Sequence, residues 1–470
     1  MKKRTKMIIG IILILLIAPI LYSMTTKNPE GTNVSGNYYS AQDVEFLYDL
    51  SYERDGERVH EQRIFDRQVE LIRSAEEFLL LDIFLFNDDY TKGEIKYRDQ
   101  VSEMSDLLIE KKKENPSMPI VLITDPINNF YGAYEEDNIT RLKKAGIQVE
   151  VTDLNKMRDS SPLTSGGYRA YLQWFGTGGL SYIPNFFDKE GPKVNIRSIL
   201  KLANFKGNHR KVYVSEKEAI VSSSNPHDPS SLHSNVAVKF YGESMKDLID
   251  SELILVENPP EIMKNWKVEK IEKEDLKTRV ITEKEIYNTL AENISQAEKG
   301  DKVWIGIFYI SDFDILESLG KASEKGVEVN IVADLNKDAF GLEKNGSPNR
   351  PALSELKEKY PRLNIKWYVT DGEQFHTKIA YFDYKGQDPI GVLGSANFTR
   401  RNLKDFNLET DMELIMQKDS ALHQEIDQYF NRIWANNTGN YTEDMEEFKE
   451  DSIVLRTLWK IQEQLGLCTW

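Results

Sequence analysis

Two segments of this 470-residue chain carry one pattern, and that duplication restricts the fold more than any other feature. The first is His209-Arg-Lys211, followed by Ser222-Ser-Ser-Asn225; the second is His376-Thr-Lys378, followed by Gly394-Ser-Ala-Asn397. Residues i and i+2 of a strand share a face, so His209 points with Lys211 and His376 with Lys378. The flanks Lys211-Val-Tyr-Val214 and Lys378-Ile-Ala-Tyr-Phe382 are rich in β-formers. One such pair on a strand means little. Two, each followed by a Ser-x-Asn turn, argue for one site assembled from two similar halves.

The surrounding sequence repeats in the same order. Phe78 to Phe86 pairs with Lys302 to Ile310, Pro119 to Asp125 with Glu328 to Asp334, and Gly146 to Asp153 with Leu363 to Asp371. After the His-x-Lys strands, Asn235 to Phe240 pairs with Asn407 to Leu414. Helical stretches lie between: Arg63 to Ala75, Val101 to Lys112 and Asn138 to Ala145, then Glu283 to Ala297 and Ile315 to Lys325. Strands alternating with helices predict an α/β sheet covered on both faces. The division expected is a basic N-terminus with a membrane anchor or signal (1–24), a first domain (37–256) with an insertion (154–208), a linker (257–280), a second domain (281–440) and a C-terminal helix (441–470).

Two imidazoles and two ammonium groups brought to one point suit a phosphodiester. Lysines with Ser and Asn donors can hold the non-bridging oxygens. One histidine can attack phosphorus, and the other can protonate the leaving alkoxide and then activate water or an alcohol. Histidine serves both roles because its pKa lies near neutrality, and no metal or other cofactor is called for.

His376-x-Lys378-x4-Asp383, then Gly394-Ser395-x-Asn397, then Asn407-x-Glu409, resembles the phospholipase D superfamily, whose hallmark is two His-x-Lys-x4-Asp motifs per active site. The first segment departs from it: Glu216 stands for the motif Asp, Ser222 for a turn glycine, and Ala237 for a frequent Glu. The resemblance implies two similar α/β domains in pseudo-twofold arrangement, with one active site formed by both. It implies His209, in the first motif, as nucleophile and His376 as general acid/base, although the better-preserved second motif makes His376 a rival nucleophile. Lys211 and Lys378 would bind phosphate, with Ser223, Asn225, Ser395 and Asn397 adding hydrogen bonds. Glu409 would orient one imidazole, and Glu216 and Asp383 would be structural. The substrate expected is a phospholipid, either hydrolysed or transferred as in cardiolipin synthases. The paired N-terminal spans and Gly-Gly turn usual in those enzymes are one span and Ser222-Ser223 here, which ranks hydrolysis first. The departures in the first half also leave open a catalytically inactive lipid- or partner-binding protein.

Lys2, Lys3, Arg4 and Lys6 precede an uncharged run from Met7 to Met24, just long enough to span a bilayer as a helix. Basic residues before it predict a cytoplasmic N-terminus and an extracytoplasmic body; a cleaved signal peptide is the rival, without a convincing cleavage site. The net charge of −16 argues against a nuclease, which would carry an electropositive footprint. A lone cysteine, Cys468, excludes internal disulfides. The Lys/Ile/Asn-rich composition fits a Gram-positive bacterium. His227 and His233 read as loop residues.

The insertion before the first motif, Leu154 to Asn208, holds Tyr168, Tyr171, Trp174-Phe175, Gly176-Thr-Gly-Gly179, Tyr182 and Phe186-Phe187. Such rings pack a loop, line an acyl pocket or enter a membrane interface. The C-terminal stretch is expected as a helix packed on the second domain.

Overall fold

The computed structural model describes residues 3–88, 96–188, 190–204, 206–272, 276–339, 342–343 and 345–467; Cys468 lies outside them. In the first half the strands are β1 (Tyr39–Arg54), β2 (Glu57–Glu61), β3 (Leu79–Ile83), β4 (Ile120–Thr124), β5 (Gln148–Val151), β6 (Lys211–Ser215), β7 (Ala219–Ser222) and β8 (Asn235–Gly242). The second half holds β9 (Leu276–Thr282), β10 (Lys302–Ile307), β11 (Glu328–Asp334), a small hairpin of β12 (Asp338–Ala339) and β13 (Leu342–Glu343), β14 (Asn364–Tyr368), β15 (Lys378–Asp383), β16 (Ile390–Gly394), β17 (Thr410–Met416) and β18 (Thr442–Asp444).

All but the small hairpin join one 16-stranded sheet, whose path runs β18-β14-β11-β10-β15-β16-β17-β9-β1-β8-β7-β6-β3-β4-β5, with β2 on β1. Read outward from β9 and β1, the strand order of one half repeats in the other. In each, two parallel pairings (β3-β4-β5 and β10-β11-β14) lead into an antiparallel meander that begins with the His-x-Lys strand. The seam within the sheet is short, Tyr39 with Thr278 and Ser40 with Lys277. The apolar core crosses it: Phe46, Leu50 and Val236 share one buried cluster with Met412, Tyr429 and Phe430.

The expected helices form where the periodicity placed them: Ile64–Ser74, Gln100–Glu114, Asp137–Lys144, Lys284–Gln296 and Phe313–Lys325. The last shows the local logic. Asp312 accepts from the amides of Asp314 and Ile315 at its start, and Gly326, at φ 95°, ends it in the left-handed region. Two expectations change. The stretch 257–280, read as a linker, holds a short helix (Glu261–Asn265) and then enters β9, a full member of the sheet paired with β17 along its whole length. The long strand β1 was not recognised in the sequence; its alternation is irregular, interrupted by a bulge between Gln42 and Glu45.

The N-terminal helix, Lys3–Thr25, is long and apolar enough to cross a membrane, and of its residues only Pro19 and Ser23 are buried. The stretch 441–470, expected as a C-terminal helix, first adds β18 to the sheet edge beside β14, and the helix itself is shorter, Ile453–Leu465, packed on the second half. Trp459 lies 5.2 Å from Phe313, and Glu463 accepts from the Arg400 amide.

Candidate active site

His209 lies two positions before the first residue of β6 and His376 two before that of β15, so each imidazole stands at a strand entrance. Each entrance is bonded to the opposite half. The His209 amide donates to the Leu408 carbonyl at 2.8 Å, and the Ser234 amide donates to the Gln374 carbonyl at 2.9 Å. Parallel bridges pair Asn208 with Leu408 and Ser234 with Phe375. These crossed contacts bring the two rings to a centroid separation of 6.5 Å. Both histidines are buried, at 9 % and 7 % exposure, and both lysines entirely so.

The two frames match bond for bond. Lys211 Nζ donates to the His209 carbonyl at 2.6 Å and lies 5.0 Å from the Phe84 ring centre; Lys378 Nζ donates to the His376 carbonyl at 2.8 Å and lies 5.0 Å from Phe308. Phe84 also packs on His209 at 4.7 Å, and Phe308 on His376 at 5.0 Å. Asp125 accepts from the Asn208 amide and Asp334 from the Phe375 amide, each at 2.7 Å.

The frames differ at the imidazole partners. His209 Nδ1 lies 3.0 Å from Glu409 Oε2, a carboxylate from the other half. His376 Nδ1 lies 3.1 Å from Asn235 Oδ1, again from the other half. Asn235 Nδ2 donates to the His233 carbonyl, which fixes the amide so that its oxygen faces His376. Both acceptors therefore hold Nδ1–H and leave Nε2 as the free nitrogen.

This corrects the strand alignment read from sequence. Asn235-x-Ala237 was matched to Asn407-x-Glu409, but the position equivalent to Glu409 is Asn235. Ser223 Oγ donates to Asn235 and accepts the Val236 amide; Ser395 Oγ donates to Glu409 and accepts the Thr410 amide. The mismatch is two residues, which preserves the strand face and so leaves no trace in the pattern. Ala237 is instead the counterpart of Asp411: Ser222 pairs with Ala237, and Gly394 with Asp411. Asp411 accepts the Ala396 amide at 3.0 Å, whereas Ser222 Oγ itself accepts the Ser224 amide at 2.8 Å. A Cβ on Gly394 would come within 2.4 Å of the Thr410 carbonyl oxygen. Gly394 with Asp411, and Ser222 with Ala237, thus brace the same turn in two ways.

Other expected residues take assorted places. The Ser223 and Ser395 hydroxyls are committed to the imidazole partners. Asn225 Oδ1 accepts the Leu85 amide, while Asn397 Oδ1 is buried without a hydrogen-bond partner. Glu216 accepts the amides of Glu76 and Glu77, and Asp383 ends β15; both lie at the far ends of their strands from the histidines. His227 and His233 flank a short turn but are buried, and the His233 ring lies 6.0 Å from His376 with Nδ1 accepting the Gln374 amide. Its counterpart Asn407 accepts the Gly207 amide. In the sequence, His233 is marked only by its nearness to His227-Asp228, which allows a pocket residue but favours a loop, because it lies outside the His-x-Lys pattern.

Arg210, between His209 and Lys211, points to the opposite face and is wholly buried. It meets Glu283 at 2.8 Å and Glu252 at 3.3 Å. Glu283 also accepts the Glu409 amide, so this ion cluster ties the first motif to the strand that presents Glu409.

Burial dominates the ionisation. It pushes the His209 imidazole down to about 4, with Glu409 opposing and Lys211 and Lys378 reinforcing. His376 is pushed well down by burial, then by Lys378, His233 and Lys211. Burial lowers the Lys211 ammonium to about 7, against the pull of Glu409 and Asp82, and burial followed by repulsion from Lys211 pushes Lys378 well down. Burial alone would raise Glu409; His209 and Lys211 outweigh it and hold the carboxyl below its usual value. Burial thus disfavours the charged forms of the imidazoles and lysines, and a bound anion beside them would favour those forms again. Among the described residues, no group of three or more His, Cys, Asp and Glu is placed to share a metal ion.

Comparison with known proteins adds a resemblance in sequence and one in fold. Residues 290–434 match the model of the cardiolipin synthase, phospholipase D-like domain. The crystal structure of phosphatidylserine synthase from Haemophilus influenzae Rd KW20 superposes with a TM-score of 0.60 at 13% identity, over 93% of this chain and 96% of that one. Residues 290–434 thus resemble the phospholipase D-like domain, and the chain shares its fold with that synthase. Polyphosphate kinase from Porphyromonas gingivalis overlaps at a TM-score of 0.46 and 14% identity, over 90% of this chain and 53% of that one. No curated protein matches the sequence. The superfamily match in sequence lies within the second half, where Gly394 and Glu409 follow the family pattern. The first half departs from the pattern at Ser222 and Asn235, yet builds the same frame.

Proposed function

We propose that this chain is a member of the phospholipase D superfamily, a membrane-anchored phosphodiesterase that cleaves phospholipids through a covalent phosphohistidine. The reading rests on the two Nε2 atoms left free by Glu409 and Asn235, on rings 6.5 Å apart, with a lysine beside each. His209 Nε2 attacks phosphorus and the P–O bond to the leaving group breaks. His376 gives its proton to the departing alkoxide, then takes one from water or an alcohol that attacks the phosphohistidine and frees His209. Lys211, Lys378 and the Asn225 and Asn397 amides hold the non-bridging oxygens. His209 is the preferred nucleophile because its imidazole becomes cationic when it carries phosphorus, and Glu409 stabilises that charge. The body is taken to lie outside the cytoplasm, from the basic residues before the apolar helix.

Transfer to an alcohol is the second reading. It is favoured by the cardiolipin synthase description of the matched family model, by the synthase title of the superposed structure, and by the low exposure of both histidines. The inactive reading loses its support, because Ser222 and Ala237 brace the same turn as Gly394 and Asp411.

The test uses the full chain in mixed micelles of phospholipids with chelator, with and without a primary alcohol. Phosphatidic acid, or phosphatidyl-alcohol when alcohol is present, should form and vanish in His209→Ala and His376→Ala. Cleavage of a single-stranded oligonucleotide without lipid turnover would refute the reading.

A further inference from the structure

The insertion before the first motif is built unlike the rest of the chain. Charged residues make up 29% of the sequence, yet from Pro162 to Pro184 the only one is Arg169. That side chain is turned inward, with its guanidinium on the Met157 and Asn155 carbonyls and 3.8 Å from Asp159. The apolar side chains face outward instead: Leu163 is 54%, Trp174 76%, Phe175 67% and Leu180 89% exposed. Only the far end packs as an ordinary loop, where Phe186 and Phe187 stack on Phe130.

Its position supplies the occupant. Pro162–Phe175 is a helical stretch that changes pitch, α over Pro162–Gly167, π over Tyr168–Leu172 and 3-10 over Gln173–Phe175. It lies against the N-terminal apolar helix. A Cβ on Gly166 would meet the Pro19 carbonyl oxygen and the Ile20 backbone at 3.0 and 3.1 Å, a close approach that favours glycine. Five residues on, the Tyr171 hydroxyl donates to the Leu15 carbonyl at 2.6 Å. The segments therefore run antiparallel. With about 1.5 Å of rise per residue, Leu15 lies about 13 Å inside the apolar run from its Met24 end. Tyr171, Trp174 and Phe175 thus sit beside the part of the helix that is at lipid depth if the helix spans. The carbonyls at the segment's end are answered within the protein, Phe175 and Gly178 both accepting from Arg197, as apolar surroundings demand.

We propose that Leu163 to Leu180 enters the lipid leaflet beside the N-terminal helix, so that two elements rather than one hold the body at the membrane. The inference rests on the reading of that helix as a membrane span, and the experiment separates the two. In full-length protein carrying Cys468→Ser, single cysteines are placed by Leu13→Cys, Trp174→Cys, Leu180→Cys or Asp55→Cys. Each is labelled with an environment-sensitive fluorophore and reconstituted in phosphatidylglycerol/phosphatidylethanolamine vesicles with spin-labelled acyl chains. Probes at 13, 174 and 180 should shift to the blue and be quenched, while the probe at 55, in the β1–β2 turn, stays aqueous. Quenching at 13 with aqueous emission at both 174 and 180 overturns the inference and leaves the anchor intact. Aqueous emission at 13 overturns the anchor and the inference with it. Two probe sites, each checked for an unchanged melting temperature, guard against a single misfolded variant.

Discussion

Replacing Glu409 by Gln isolates the one charge that distinguishes the two imidazoles. The carboxylate lies 3.0 Å from His209 Nδ1, and both side chains are buried. At that distance and an effective dielectric of about 20, Coulomb's law gives about 5 kcal/mol between unit charges. A Gln oxygen would still accept Nδ1–H, so part of the interaction survives, and we expect a loss of about 3–4 kcal/mol of stabilisation for a cationic imidazole. If His209 carries phosphorus, its ring is cationic in the intermediate, and formation of the adduct should slow by about 10²–10³-fold. The assay is single-turnover cleavage of a lipid labelled in its phosphate, quenched in base to preserve the phosphohistidine, with kcat measured in parallel. A melting temperature within a few degrees of the parent separates chemistry from folding. Retention of a third or more of the parent rate would refute a role for the Glu409 charge.

Four further outcomes follow from the same geometry. Asn235→Asp places a carboxylate about 3 Å from His376 Nδ1 and raises the pKa of that imidazole; the alkaline limb of kcat/KM should move up by about one pH unit or more, and an unmoved limb would argue against His376 as the acid. The Lys211 ammonium, lowered to about 7, is charged below that pH and neutral above it. Affinity for a dialkyl phosphate, a monoanion throughout, should therefore weaken above about pH 7 by calorimetry, and Lys211→Arg should flatten the profile. Arg210→Ala leaves Glu283 and Glu252 buried without their cation and should cost about 3–5 kcal/mol in denaturant unfolding. Gly394→Ser drives a Cβ into the Thr410 carbonyl and should destabilise by about 1–3 kcal/mol or more, while Ser222→Gly should cost about 1 kcal/mol or less.

The repeat made the architecture legible before any coordinates. Each paired strand and most helices came from apolar periodicity, because buried parallel strands such as Leu79–Ile83 and Ile120–Thr124 are continuous apolar runs. The four residues of the two His-x-Lys pairs were legible too, since i and i+2 on a strand must share a face. Register was not. Asn235 and Ala237 lie on the same face, and nothing local says which of them opposes a histidine from the other half. His233 reads as a loop residue in the sequence because its proximity to His376 comes from the crossed bridge of Ser234 to Phe375, a contact across 141 residues. The seam strands β1 and β9 also went unread. Their side chains face different neighbours along their lengths, so neither shows a clean alternation.

The geometry also changes what the unequal halves mean. Read as a string, the first half looks eroded at Ser222 and Ala237, and erosion suggests lost activity. Folded, those two residues are one exchange, in which a serine hydroxyl replaces an aspartate carboxylate as acceptor for the same turn amide. The inequality that remains is Asn235 opposite Glu409, and it falls at the imidazoles themselves. Two histidines in identical frames would compete for one role, since neither would be the better nucleophile or the better acid. A carboxylate on one ring and an amide on the other remove that degeneracy. The ring backed by Glu409 tolerates a lasting positive charge, as a phosphorylated imidazole requires. The ring backed by Asn235 has its pKa pushed well down by burial, then by Lys378 and His233, so as the proposed acid it would give a proton up readily to a leaving alkoxide. On the proposed mechanism the division of labour would follow from the Glu409–Asn235 difference at the imidazoles, together with His233 beside His376 where the other frame has Asn407.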